Sequence, residues 1–398
     1  MITAFAAMIC TLLSLAGMAA VLAGTLAVRR FVRLPSIPPR ETPACTILRP
    51  LYGDEPGLNE ALETLAAQNY PRFQIVFGVQ DPADPALKTV RLFANRHPAL
   101  DITIIADARL HGANRKISNL MNMLPHARHD LLVFSDSDVH APPDYLTQIV
   151  AALERPGAGL VTTLCVGRPA VPSIASRLAA GHMRHCFLPG ALLGEWAGRQ
   201  DCLGTTMALR RDTLDRAGGL RALADHLADD NILGQLVKNL GLSVALAHVL
   251  TIVTISETSF AAVWRHELRW ARTIRALIPL TFAGSASQFP LFWAAASCVL
   301  MPSQPALLTV VAAAAALRIW AACQIDAALS RRFAVPRQKG LLLLLGLRDC
   351  LSVTVVAASF MGRNVVWRGH VLQAEGFSAT AERKQFFFEK KNQKTFAT

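Results

Sequence analysis

At 398 residues, with 52% hydrophobic residues and a formal net charge of +12, the chain has room for two domains or more and is not an ordinary soluble protein. The excess of arginine invites a nucleic-acid reading. No zinc, RNP-like or helix-turn-helix signature accompanies it, so anionic lipid headgroups and a nucleotide diphosphate account for the charge more simply.

In chain order, residues 2–28 are apolar or small throughout, enough for the roughly 20 residues that a helix needs to cross a bilayer. The charges Arg29, Arg30 and Arg33 follow the run instead of preceding it, which argues for an uncleaved anchor over residues 1–30 and against a signal peptide. Positive charge stays on the cytosolic side, so the N-terminus points outward and the next domain faces the cytosol. Pro35, Pro38, Pro39 and Pro43 make a stiff linker. Strand-like runs at 45–48, 73–79, 102–105 and 131–134 then alternate with helix-like segments at 57–68, 84–96, 114–124 and 143–154. This alternation predicts an α/β domain over residues 31–276 with a mainly parallel sheet, continued by runs at 159–165 and 203–209. The stretch 174–196 mixes apolar and basic residues and suits a membrane surface. Three further spans are predicted at about 277–300, 304–325 and 340–361, within a membrane region over 277–370. Three crossings would put the tail outside, whereas Arg363 and Arg368 argue the opposite. Arg348-Asp349 leaves room for a re-entrant or interfacial helix. Residues 371–398 read as a basic, solvated tail. The eight cysteines have no C-x-x-C spacing and read as buried small hydrophobes in a reducing compartment.

Chemistry concentrates at Phe134-Ser135-Asp136-Ser137-Asp138, where an apolar run ends in two carboxylates one residue apart. A buried strand of a parallel sheet reads as such a run, and ligands of these sheets bind beyond the carboxyl ends of the strands. Two oxygen ligands there suit a divalent cation, Mg²⁺ or Mn²⁺, that also bridges phosphates. A lone Asp-x-Asp reads more readily as a turn or a helix cap, and it is the other carboxylates and the His266 block along the chain that favour the site. Asp81 follows the 73–79 run, either to accept from a nucleobase or ribose or to form the turn before Pro82. Asn114-Arg115-Lys116 opens a helix-like segment that favours phosphate. Asp229-Asp230 precedes another, where capping needs one aspartate and a general base would use the second. His266, Arg269 and Trp270 share one helical face at i, i+3 and i+4, fit either for an interfacial aromatic-basic belt or for closing over a diphosphate and a sugar. His182 and His185 read as a surface pair.

The order Asp81, Asp136-x-Asp138, Asp230 and His266-x-x-Arg269-Trp270 resembles that of family 2 glycosyltransferases of the GT-A fold. Val79-Gln80-Asp81-Pro82-Ala83-Asp84-Pro85, Asn114-Arg115-Lys116-Ile117-Ser118-Asn119-Leu120-Met121 and Asp215-Arg216-Ala217-Gly218-Gly219-Leu220 are similar to the ceramide glucosyltransferase branch, over residues 43–276. His266 stands where that family has Gln or Arg, and the full Asp-x-Asp departs from the animal ceramide enzymes. Both features resemble the bacterial hopanoid-biosynthesis glycosyltransferases. The resemblance implies that Asp81 holds uridine with Lys116 nearby, and that Asp136 and Asp138 place the diphosphate and its metal. It implies Asp230 as the base of an inverting transfer, with His266, Arg269 and Trp270 closing the acceptor side. The expected partners are a UDP-sugar, a membrane lipid acceptor and the bacterial inner membrane, with the catalytic domain facing the cytosol. A hopanoid polyol receiving N-acetylglucosamine comes first and glucosylation of ceramide second. A non-catalytic nucleotide-sugar-binding transporter or scaffold is the rival of another class, disfavoured by the few spans and the intact carboxylate set.

Overall fold

The computed structural model describes residues 1–337, 340–367 and 370–373. A long helix, α1 (Ile2–Arg33), leads into β1 (Cys45–Pro50), α2 (Leu58–Ala66), β2 (Phe73–Val79), α3 (Ala86–Arg96), β3 (Asp101–Ala106), α4 (Arg115–Met123) and β4 (Leu131–Ser135). These are the strands and helices that hydrophobic patterning predicts. Then come β5 (Val139–His140), α5 (Tyr145–Leu153), β6 (Ala158–Pro169), α6 (Ile174–His182), α7 (Leu188–Trp196), β7 (Thr206–Arg210), α8 (Arg211–Arg216), α9 (Asp229–Asn239) and β8 (Ser243–Ile255). The C-terminal part holds α10 (Phe260–Leu277), α11 (Pro279–Gly284), α12 (Pro290–Leu300), α13 (Ala306–Phe333), α14 (Leu345–Ser359), β9 (Asn364–Trp367) and β10 (His370–Gln373).

Strands β1 to β8 form one eight-stranded sheet in the order β3-β2-β1-β4-β7-β6-β8-β5. Adjacent residues of its central strands point to opposite faces, and both faces are covered. Ile47, Ile75 and Val133 pack against Leu62, Val90 and Ile149, while Leu48, Val76 and Leu132 pack against Ile117, Leu120 and Leu233. That double burial is why these strands read as unbroken apolar runs. The register runs Cys45 with Phe73 and Leu131, so β2, β1 and β4 end at one edge.

The sheet is mixed, which corrects the expectation of a mainly parallel one. β7 lies antiparallel between β4 and β6, and β5 is antiparallel to β8. An apolar run records burial but not direction, so the pattern could not distinguish these pairings. Strand β8, 13 residues long, is absent from the sequence reading.

Among the described residues, two helices are long and apolar enough to cross a membrane, α1 and α13, with 32 and 28 residues. The three predicted C-terminal spans therefore reduce to one of full length. The 277–300 segment breaks at Pro279, at a 3-10 turn over Ser285–Gln288 and at Pro290, where a missing N–H and ring sterics interrupt the helix. The 340–361 segment gives a 15-residue helix, about 22 Å at 1.5 Å per residue. Its Arg348 and Asp349 are not lipid-facing. Arg348 pairs bidentately with Glu267 at 2.7 Å through each nitrogen, and Asp349 takes Arg318 at 2.7 Å. Thus α14 is fastened to α10 and α13 by buried charges. The end of α1 is equally part of the domain, with Ala27, Val28 and Phe31 packed against Leu164, Leu250 and Leu329. The 174–196 segment buries one side in the fold, with Leu178, Leu188 and Leu192 covered and α7 lying along α1, and leaves Ile174 and Trp196 exposed. The predicted lysine tail, with Lys384, Lys390, Lys391 and Lys394, lies outside the described residues.

Candidate functional site

At the carboxyl edge of β4 the chain turns sharply. The Asp136 N–H donates to the Thr205 carbonyl at 3.1 Å, and the Asp136 carbonyl accepts from Val139 N–H at 3.3 Å. Arg49, fully buried on β1, supports the turn from beneath by donating from one nitrogen to the carbonyls of Ser137 and Val139, each at 2.6 Å. The Ser137 hydroxyl donates to Glu55, so a third carboxylate joins the Asp136-Asp138 pair. Burial, then the charges of Asp136 and Glu55, push the Asp138 carboxyl up to about 7.

Helix α4 supplies the cation. Asn114 caps it by accepting from Ile117 N–H at 3.1 Å, while its own amide donates to the His226 carbonyl at 2.8 Å. Two residues on, Lys116 Nζ lies 2.8 Å from Asp136 Oδ1 and 3.5 Å from Asp229 Oδ2. Burial works against its charge, yet Asp136, Asp229 and Asp230 together hold Lys116 above the ordinary lysine value.

Helix α9 brings in Asp229 and Asp230 at its first turn. Asp230 Oδ1 accepts the Asn231 N–H at 2.7 Å. Its other oxygen rests against Gly204, where a Cβ would stand only 2.8 Å away, so the chain passes this carboxylate by having no side chain there. Burial and then the like charge of Asp229 push Asp230 up to about 6. Lys116, Asp136, Asp138 and Asp230 are therefore one cluster, in which Glu55, Asp136, Asp138, Asp229 and Asp230 confront the cations Arg49 and Lys116.

Asp81 stands apart from that cluster. It is exposed at the carboxyl edge of β2 and its Oδ1 accepts the Ala83 N–H at 2.8 Å, so it also shapes the turn. The neighbouring Asp84 is the buried anchor of this region, accepting from Gly53 N–H at 2.9 Å and Ala86 N–H at 2.9 Å.

The third wall is α10. Its Ser259 cap accepts from Ala262 N–H at 3.2 Å. His266 meets Trp270 edge-on at a ring separation of 4.5 Å, as the i, i+4 spacing predicts. Trp270 packs with Val139, Cys165, Val253 and Ile255, which puts it beside the strand that follows Asp138. His266 Nδ1 bonds the Glu257 carboxylate. Although burial works against ionisation, that bond and the neighbouring His266 hold Glu257 below the usual carboxylate range.

Sequence reasoning missed Arg49, Glu55 and Glu257. Each lies outside a recognisable motif, and Glu257 follows the unrecognised β8. The expectation of a His182/His185 surface pair is corrected. His185 is buried with Nε2 3.0 Å from Asp326, because an apolar face of the 174–196 segment turns inward.

Among the described residues no three His, Cys, Asp or Glu side chains form a metal cage. The donor set still fits a hard cation of the Mg²⁺ or Mn²⁺ kind, which takes one or two carboxylates and completes its shell with phosphate and water. Burial first, and the charges of Asp136 and Glu55 next, disfavour an ionised Asp138, and a bound cation would offset both.

The comparisons with known proteins agree with this architecture. The family model described as Glycosyl transferase family 21 matches residues 9–376. Ceramide glucosyltransferase 1 of Caenorhabditis elegans is 22% identical over 240 residues, 60% of this chain and 51% of that protein. The ceramide glucosyltransferase of Candida albicans is 34% identical over 120 residues, 27% of this chain and 22% of its own. The chain thus spans about half the length of the first of these relatives. Among solved structures, a mannosyltransferase from Pyrobaculum calidifontis in complex with GDP-Man and Mn²⁺ superposes with a TM-score of 0.53 at 21% identity, covering 89% of this chain and 96% of that one. This likeness shows the fold, a GT-A-like glycosyltransferase architecture.

Proposed function

The chain belongs to glycosyl transferase family 21, and on that premise we propose that it is an inverting enzyme moving a sugar from a UDP-sugar to a membrane lipid alcohol. The observation that supports this most is Asp230 set beside Lys116, Asp136 and Asp138 at one sheet edge, a base candidate next to a diphosphate site.

In this reading Asp81 binds the uridine, and Lys116 stabilises negative charge on the diphosphate once the phosphates compete with Asp136 for its ammonium. Asp136 and Asp138 would hold a divalent cation, which neutralises the leaving diphosphate when bound. Asp230 accepts the proton of the attacking hydroxyl, while Gly204 leaves that carboxylate room. Arg269 and Trp270, with His266, close the acceptor side. Direct displacement needs no nucleophilic side chain. The rival reading as a non-catalytic binding protein leaves the raised Asp230 carboxyl without a task.

The anchor at residues 1–30, the catalytic domain at 31–276 and the membrane region at 277–370 remain our division of the chain. Arg29, Arg30 and Arg33 after the first span favour a cytosolic catalytic face on an inner membrane, crossed more than once. The acceptor enters sideways from the bilayer, because α10 runs directly into the apolar helices. Among lipids we favour a hopanoid polyol such as bacteriohopanetetrol receiving N-acetylglucosamine, by the sequence resemblance. Glucosylation of ceramide is the second reading, favoured by the names of the relatives. Deleting the gene and profiling lipids tests the choice. Loss of a hexosaminyl hopanoid supports the first reading, and loss of glucosylceramide alone moves the enzyme to the second.

A further inference from the structure

Helices α6 and α10 pack together beside Trp270, and two imidazole nitrogens there have neither solvent nor a hydrogen-bond partner: Nδ1 of His182 and Nε2 of His266. Buried polar atoms in native folds are nearly always paired, so two unpaired ones in one neighbourhood call for an explanation, and a ligand that completes the set is one. The groups around them are already engaged. Glu267 is held bidentately by Arg348, whose remaining nitrogen donates to Ser352 Oγ at 3.1 Å. His266 and Glu267 are both among the charges acting on His182, so the rings share one neighbourhood. Ala179, Ala180 and Met183, the neighbours of His182 along the chain, share one apolar cluster with Trp270.

The tautomer of His266 follows from its partner. The ionised Glu257 can only accept, so Nδ1 carries the hydrogen and, in the neutral ring, Nε2 presents a lone pair. The edge contact with Trp270 fixes the ring plane. Burial pushes His182 down to about 4, which keeps it neutral as well.

We propose that His182 and His266 form a subsite for hydroxyl groups of the acceptor headgroup, with Glu257 as the positioning residue that fixes His266. The inference rests on the lipid-glycosyltransferase reading and narrows it to acceptors with more than one hydroxyl. One hydroxyl reacts, while another donates to His266 Nε2 and is met by His182 Nδ1. An alcohol with a single hydroxyl leaves both nitrogens unpaired, and a site built to hydrogen-bond a hydroxyl rejects the analogue that lacks it.

The full-length enzyme in detergent is assayed with two matched pairs: bacteriohopanetetrol against a single-hydroxyl hopanol, and ceramide against 3-deoxyceramide. With whichever pair is accepted, the wild type should prefer the polyol by about tenfold or more in kcat/KM. His182→Leu and His266→Leu should bring that ratio toward one, whereas His182→Asn and His266→Gln, which keep a hydrogen-bonding atom, should retain most of it. Glu257→Gln, whose amide can bond either tautomer of His266, should bring that ratio partway toward one. In a His266→Leu background the Glu257 change should add nothing. UDP binding by each variant serves as the check of folding.

A ratio near one in the wild type, or an unchanged ratio in both leucine variants that still bind UDP, overturns the subsite alone. So does a ratio that Glu257→Gln leaves unchanged. If a leucine variant fails to bind UDP, the asparagine and glutamine variants decide, and loss of the preference in them also overturns the subsite. A wild type that transfers sugar to no lipid brings down the functional reading and the subsite with it.

Discussion

The pH dependence of transfer tests the base through the charges around it. Asp230 sits at about 6, raised first by burial and then by Asp229. Only its carboxylate form can take a proton, so turnover should climb through pH about 6 and level off near pH 7. One unit below the midpoint about a tenth of the sites are ionised, so the rate at pH about 5 should be about tenfold below the plateau. Asp229→Asn keeps the shape but removes the raising charge, so the inflection should move to lower pH. Asp230→Asn should cost about 10²-fold to 10⁴-fold on the plateau, and less below pH about 6 where the wild type itself falls, with little change in donor affinity. The assay is the initial rate of radiolabelled sugar transfer in micelles at saturating donor and metal. A flat profile from pH 5 to 8, or an inflection that rises in Asp229→Asn, would refute the assignment and return Asp230 to a helix cap.

Three further outcomes follow from the geometry. Gly204→Ala would set a methyl 2.8 Å from the Asp230 oxygen, so the carboxylate must move; turnover should fall by about tenfold or more while circular dichroism stays unchanged. Arg348→Leu leaves Glu267 buried and unpaired and should destabilise the protein by about 3–5 kcal/mol in thermal unfolding, while adding Glu267→Leu should restore much of the loss. Asp138→Ala, or chelation of the wild type, should weaken UDP-sugar binding measured by calorimetry, and full affinity in excess chelator would contradict a metal role.

The catalytic half of the fold was legible because its strands are buried on both faces and its helices on one, so each leaves a periodic trace. Phe73–Val79 was recognised to the residue. Direction was not legible, and neither was β8, whose His248, Thr251 and Thr254 interrupt the apolar pattern while pairing inside the fold, as His248 Nε2 does with the Phe31 carbonyl at 2.8 Å. Hydropathy marked a long apolar helix well where the helix is continuous, as in α1. It failed over 277–300, where Pro279 and Pro290 break apolar sequence into short helices. Within the site, Lys116, Asp136 and Asp230 could be found because each sits at an element boundary, at a helix start or a strand end. Glu257 and Glu55 could not, since they reach the site only through loops whose path the sheet order decides.

The most direct measurement is transfer itself: membranes or purified enzyme incubated with radiolabelled UDP-N-acetylglucosamine and UDP-glucose and with hopanoid polyol, ceramide and diacylglycerol acceptors. The account predicts a radiolabelled, lipid-extractable product of inverted anomeric configuration from at least one UDP-sugar, lost in Asp230→Asn. A protein that binds the UDP-sugar yet labels no lipid, or gives a product of retained configuration, would contradict it.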